Sequence, residues 1–186
     1  LIGFVFLNAQ TTSLPKNSPI SVLSSIKAIN IEHTNDIATF DPTWVDSLSL
    51  SLPCYGVPVP KRTMRLPNAP RNYRNGTHKG LDFFANWGTP VRSVADGIVV
   101  RSDLHYEEVP ADFRENLLKA TTKVGHTPSD IFNSVLLGKS VFLDHGFDLI
   151  PGFRTISIYA HLSHIEKEIV PGAKVKRGEL LGKSGN

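Results

Sequence analysis

A chain of 186 residues, 40% of them apolar, can bury one good core and at most a small second unit. Its net charge of +3 is scattered in short clusters such as Lys61-Arg62 and Lys174, Lys176 and Arg177, which gives nucleic-acid binding little support. The single cysteine, Cys54, excludes an intrachain disulfide and a thiolate metal cluster, and no apolar run approaches the roughly 20 residues of a membrane-spanning helix.

The chain opens on LIGFVFLNAQ, an apolar run followed by small and polar residues. Residues 1–10 are therefore expected to be a signal-peptide remnant with a cleavage site near Ala9, and the protein to be exported to the periplasm, cell envelope or medium. Residues 11–70 are rich in Ser, Pro, Thr and Asn, with one short apolar alternation around Ser21–Ile31. The stretch LPCYGVPVPKRTMRLPNAPRNYR carries five prolines and should be extended, so 11–70 is expected to be a lead-in segment and linker.

From 71 to 186 the pattern is that of one mainly β domain. PVRSVADGIVVRS predicts two short strands around the turn Ala95-Asp96-Gly97, with Asp96 as a turn former. An insertion over about 103–138 predicts helix instead. Asp112–Val124 has apolar residues at helical spacing and Gly125 as its stop, and Thr127-Pro128 would cap a second helix through Leu137, closed by Gly138. That hairpin is either a groove wall or a surface decoration.

KSVFLDHG (139–146) and RTISIYAHL (154–162) predict two more strands. In the second, Ile156, Ile158, Ala160 and Leu162 should share the apolar face of a half-buried strand, leaving Thr155, Ser157, Tyr159 and His161 on the polar one. VPGAKVKRGELLGKSGN then alternates turns at Pro171-Gly172, Arg177-Gly178 and Ser184-Gly185 with very short strands.

The chemistry concentrates in NGTHKGLDFFANWGTPV (75–91) and YAHL (159–162). Zinc needs donors about 3–4 Å apart, and a straight strand sets His78 and Asp82 about 13 Å apart. A loop or bulge hinged on Gly80 removes that obstacle, because glycine accepts the backbone angles required. Such a spacing on its own is also what a solvated His near an Asp looks like.

The ordered blocks H-K-G-L-D-F, G-T-P-V, A-D-G-I-V-V, V-F-L-D-H-G, I-Y-A-H-L and V-x-x-G-x-x-V-x-x-G-x-x-L-G resemble the lysostaphin/LytM-type zinc metallopeptidases. The resemblance covers about residues 71–186. It implies a compact antiparallel β-sheet domain with a narrow groove, a Zn2+ ion held by His78 and Asp82, and a catalytic role for His161. It also implies that the substrate is a peptide crosslink of bacterial peptidoglycan.

The family's last block, a His-x-His strand that supplies the third zinc ligand and a second catalytic histidine, is absent from the 186 residues. They end at GKSGN, in the turn that would lead into it, so an incomplete and weakly active form is expected. His145 and His164 are weak substitutes, and His33, His105 and His126 fall outside the matching blocks. The main alternative is a degenerate module that binds cell wall or regulates another wall hydrolase without cutting. A carrier domain is a remoter one, since no Met-Lys-Met-like turn accompanies VPGAKVKRGELLG.

Overall fold

The Gly97–Ser102 segment shows why this chain builds sheets: Val99 is buried while Ile98 and Val100 beside it are exposed, the two-residue period of a strand with one face on a core. The computed structural model describes residues 43–150 and 152–185, and they form a mainly antiparallel β fold with few helices. The expected signal remnant, the Ser21–Ile31 alternation and His33 lie outside the described residues.

A short helix α1 (Trp44–Ser47) precedes β1 (Pro70–Arg71), β2 (Gly76–Thr77), β3 (Pro90–Arg92) and β4 (Gly97–Ser102). Helices α2 (Ala111–Val124) and α3 (Ser129–Ile131) follow. Then come β5 (Val141–Asp144), β6 (Ile156–Tyr159), β7 (Leu162–Ile165), β8 (Lys174–Val175) and β9 (Leu180–Ser184). One sheet runs β6-β5-β4-β8 and a second β3-β9-β7, with β1-β2 a separate pair, and every pairing is antiparallel. The two larger sheets share one core, with Val99, Leu143 and Tyr159 from the first packed with Val91, Leu162 and Leu181 from the second. Each fully buried aliphatic side chain of this kind contributes about 1.5–3 kcal/mol.

The half-buried strand expected at 154–162 is corrected. Ser157 and Tyr159 point into the space between the sheets, with Tyr159 wholly buried, while Ile158 and Ala160 pack under Leu137 and Phe142 in a second cluster. The outer face is apolar because the insertion covers it. The inner face tolerates hydroxyls because they are paired: Tyr159 Oη accepts the Val94 amide at 2.9 Å and lies 3.1 Å from Ser157 Oγ.

The insertion is helical. The first helix ends at Val124, and Gly125 takes the left-handed conformation (φ 89°) that closes it. The second departs from the expectation in two ways. After one α-turn it is wound as a π-helix over Phe132–Leu136. Thr127 is not its cap: its hydroxyl donates to the Arg74 carbonyl at 2.7 Å, outside the helix. The Ser184-Gly185 turn is also corrected, because Ser184 belongs to β9 and the Gly185 amide extends the pairing to the His161 carbonyl at 2.8 Å.

Residues 49–69 run along this framework. Ser51 donates to the Val94 carbonyl and Pro53 accepts from the Arg92 amide, both at 2.8 Å, and Cys54 is fully buried in the main core. The prolines suit this path, since docking through a few backbone bonds does not need every amide.

Gly182 lies in β9 between β3 and β7, and a Cβ there would overlap the His164 carbonyl oxygen and crowd the Ile165 Cα. These are backbone atoms of β7, so no flexible side chain is there to yield. Gly182→Ala is expected to destabilise the protein by at least about 2 kcal/mol in urea denaturation. A change within about 0.5 kcal/mol would contradict this packing.

Candidate metal-binding cleft

His78 leaves β2 and enters a strand-free loop, 78–86, with its bend at Gly80. The loop is held by residues 65–69. The His78 amide donates to the Ala69 carbonyl (2.7 Å), the Asn68 amide to the His78 carbonyl (2.8 Å), and the Asp82 amide to the Arg65 carbonyl (2.9 Å). These bonds give the loop backbone partners although it is neither helix nor sheet.

Within that frame His78 Nε2 and Asp82 Oδ1 lie 2.8 Å apart, with both side chains largely buried. His78 Nδ1 faces the Leu66 carbonyl at 2.9 Å; a carbonyl only accepts, so this nitrogen carries a proton and Nε2 is the nitrogen turned to Asp82. Asp82 Oδ2 takes Arg71 Nη2 at 3.3 Å, and the same nitrogen donates to the Met64 carbonyl at 2.9 Å. Asp82 Oδ1 is buried without an aligned hydrogen-bond donor. A ring nitrogen and a carboxylate oxygen this close need a positive particle between them. A proton or a metal ion meets that need, and opening the pair by about half an ångström reaches the donor separation zinc requires. Burial pushes the Asp82 carboxyl up from its ordinary value, while His78 and Arg71 pull it down.

His161 comes to the same cleft by a backbone reversal. Its φ of 56° is left-handed, a conformation that costs a non-glycine residue roughly 1–2 kcal/mol. Continued strand alternation would have sent its ring inward with Ser157 and Tyr159. The reversal between β6 and β7 is fixed from both sides, the His161 amide donating to the Leu137 carbonyl (2.9 Å) and its carbonyl accepting from the Gly185 amide (2.8 Å). Burial, aided by Arg114 and His78 nearby, lowers the His161 pKa to about 4. At neutral pH the ring is uncharged.

The cleft has a volume of about 670 Å³ and is lined by His78, Asp82 and His161. Its opposite wall comes from the insertion, through Glu108, Arg114 and Val135–Gly138. The other histidines stand apart. His145 is buried, with Nδ1 donating to the Asp96 carbonyl (2.6 Å) and Nε2 facing Ser157 Oγ (2.7 Å). His164 is exposed near Glu166, and His105 and His126 are exposed. Among the described residues no group of three His, Cys, Asp or Glu side chains is placed to hold a metal. The pair therefore fits two corners of a zinc site. Sequence reasoning missed Arg71, the Leu66 carbonyl and Arg114, because a lone arginine or a backbone oxygen carries no periodicity.

No family model matches the chain, and no curated protein matches it. Among solved structures, a crystal structure of a candidate peptidase M23 from Pseudomonas aeruginosa is 27% identical over 74% of this chain, with a TM-score of 0.38. The chain spans 38% of that protein's length. A TM-score of this size does not establish a common fold.

The buried His145 yields a test of the framework behind the cleft. Burial lowers its pKa from the ordinary 6.5, against the smaller opposing pull of the Asp96 carbonyl and the Asp144 and Asp96 carboxylates. The unfolded chain therefore takes up the proton first as pH falls, and stability present above about pH 6.5 is lost below it. His145→Gln keeps a donor and an acceptor but does not titrate. Urea midpoints at pH 7 and pH 5 should fall less for the variant than for the parent chain, and equal falls would show that His145 charges without cost.

Proposed function

We propose that the chain is a zinc-dependent endopeptidase domain acting on the peptide crosslinks of bacterial peptidoglycan, in an exported protein. The observation that carries this reading is the pair His78 Nε2 and Asp82 Oδ1, 2.8 Å apart, largely buried, with no donor aligned on the carboxylate oxygen. The ordered motif blocks within about residues 71–186 suggest the reaction class and the substrate.

Zinc bound at such a site supplies Lewis-acid polarisation of a carbonyl and an acidified water. The chain's own residues do the rest. His78 offers Nε2, its ring orientation set by the Leu66 carbonyl, and Asp82 offers Oδ1 while Arg71 occupies Oδ2. His161, in the same cleft, hydrogen-bonds the attacking water and the developing oxyanion. The insertion wall narrows the cleft around an extended peptide and excludes bulk water.

A second reading, a wall-binding module without hydrolysis, is favoured by the missing third ligand among the described residues. Two protein ligands hold zinc weakly. The 186-residue chain should therefore bind zinc weakly and cleave crosslinked peptide poorly. The same chain with a His-x-His strand joined at its C-terminus should do both well. In that extended form Asp82→Ala should abolish zinc binding, and His161→Ala should leave zinc in place but lower cleavage about 10²–10⁴-fold. If the extended protein neither binds zinc nor cuts, the binding module replaces the enzyme.

A further inference from the structure

The cleft carries more positive charge than its own carboxylates balance. Five cationic side chains, Arg71, Arg74, Lys79, Arg114 and Lys139, line it against two carboxylates, Asp82 and Glu108. Both carboxylates are engaged by an arginine: Asp82 by Arg71 at 3.3 Å, Glu108 by Arg114 at 3.4 Å. Among the described residues no carboxylate pairs with Arg74, Lys79 or Lys139.

Arg74 makes the surplus costly. It is 4% exposed, donates to Thr127 Oγ1 and the Thr77 carbonyl, and lies 5.2 Å from the Phe132 ring centroid. All of those partners are neutral. A buried cation with only dipolar partners is partly compensated, and an anion arriving in the cleft gains from its field. The two lysines stand on opposite walls. Lys79 lies in the loop between His78 and Asp82, and Lys139 follows the insertion, next to Gly138, which borders the His161 ring. The Lys139 carbonyl accepts the Leu162 amide at 2.9 Å, so its backbone is fixed to the residue after His161.

We propose that the cleft selects peptides bearing a free carboxylate close to the scissile amide, with Lys79 and Lys139 as the specificity-determining contacts. The inference rests on the peptide-cleaving reading for the word scissile, and on charge alone for the preference. Neutral peptides, including those whose side-chain carboxyls are amidated, are the poor ligands.

Binding can be read without catalysis. Trp44 and Trp87 are the only tryptophans, and Trp87 lines the cleft at 70% exposure. In a Trp44→Phe chain, fluorescence therefore reports on the cleft. The probes are N-acetyl-Ala-Glu-Ala-Ala-amide and its Gln counterpart, titrated in chelator so that metal plays no part. At low ionic strength the acidic peptide should bind about tenfold more tightly. The preference should shrink as salt rises and vanish in Lys79→Gln/Lys139→Gln, whose fold is checked by its thermal transition. Lys139→Glu alone should turn it toward the amide.

Equal affinity for the two peptides, or a preference that survives the double variant, overturns the inference. If cleavage by the extended protein fails while the acidic preference holds, the hydrolase reading falls and the anion-selective cleft stands. If cleavage holds and the preference is absent, only this inference falls.

Discussion

The geometry of the cleft depends on residues 65–69 serving as a template for the loop 78–82. A loop of this kind has no ladder of its own, so its amides and carbonyls need partners from elsewhere, and Arg65, Asn68 and Ala69 supply them. The same segment fixes the chemistry. The Leu66 carbonyl sets which His78 nitrogen is free, and Met64 with Asp82 anchors Arg71. Without this template, a histidine and an aspartate four residues apart would be two solvated side chains. With it, they become a largely buried pair 2.8 Å apart.

The second constraint is the left-handed backbone at His161. Both of its peptide groups are spoken for, one by Leu137 at the end of the insertion and one by Gly185 beyond β9. Insertion, reversal and closing strand thus meet at one residue. Strain of this kind persists only where surrounding bonds over-determine it, and it concentrates at functional sites. Buried and close to Arg114, the His161 ring stays neutral where an exposed one would begin to charge.

How much of this could be read beforehand follows from what each residue signals. The β-branched run Ile98-Val99-Val100, the stops at Gly125 and Gly138 and the bend at Gly80 are local signals, and local rules suffice for them. Ser157 and Tyr159 mislead because polarity suggests exposure, whereas paired hydroxyls sit inside the core. Thr127 has the chemistry of a helix cap, yet a carbonyl 53 residues away, that of Arg74, takes its hydroxyl. The docking of 49–69 is invisible because prolines announce extended backbone and say nothing about what it lies on. Arg71 and Arg74 act through distant partners, so no spacing in their neighbourhood betrays them.

The central claim is that His78 and Asp82 are a preformed half of a zinc site. The most direct measurement is the anomalous difference density at the zinc edge from crystals of the chain extended by a His-x-His strand, grown with zinc. The account predicts a peak about 2 Å from both His78 Nε2 and Asp82 Oδ1, with Leu66 still on Nδ1 and Arg71 still on Oδ2. A peak at His145 or His164 with none between His78 and Asp82, or no ordered zinc at all, would contradict it.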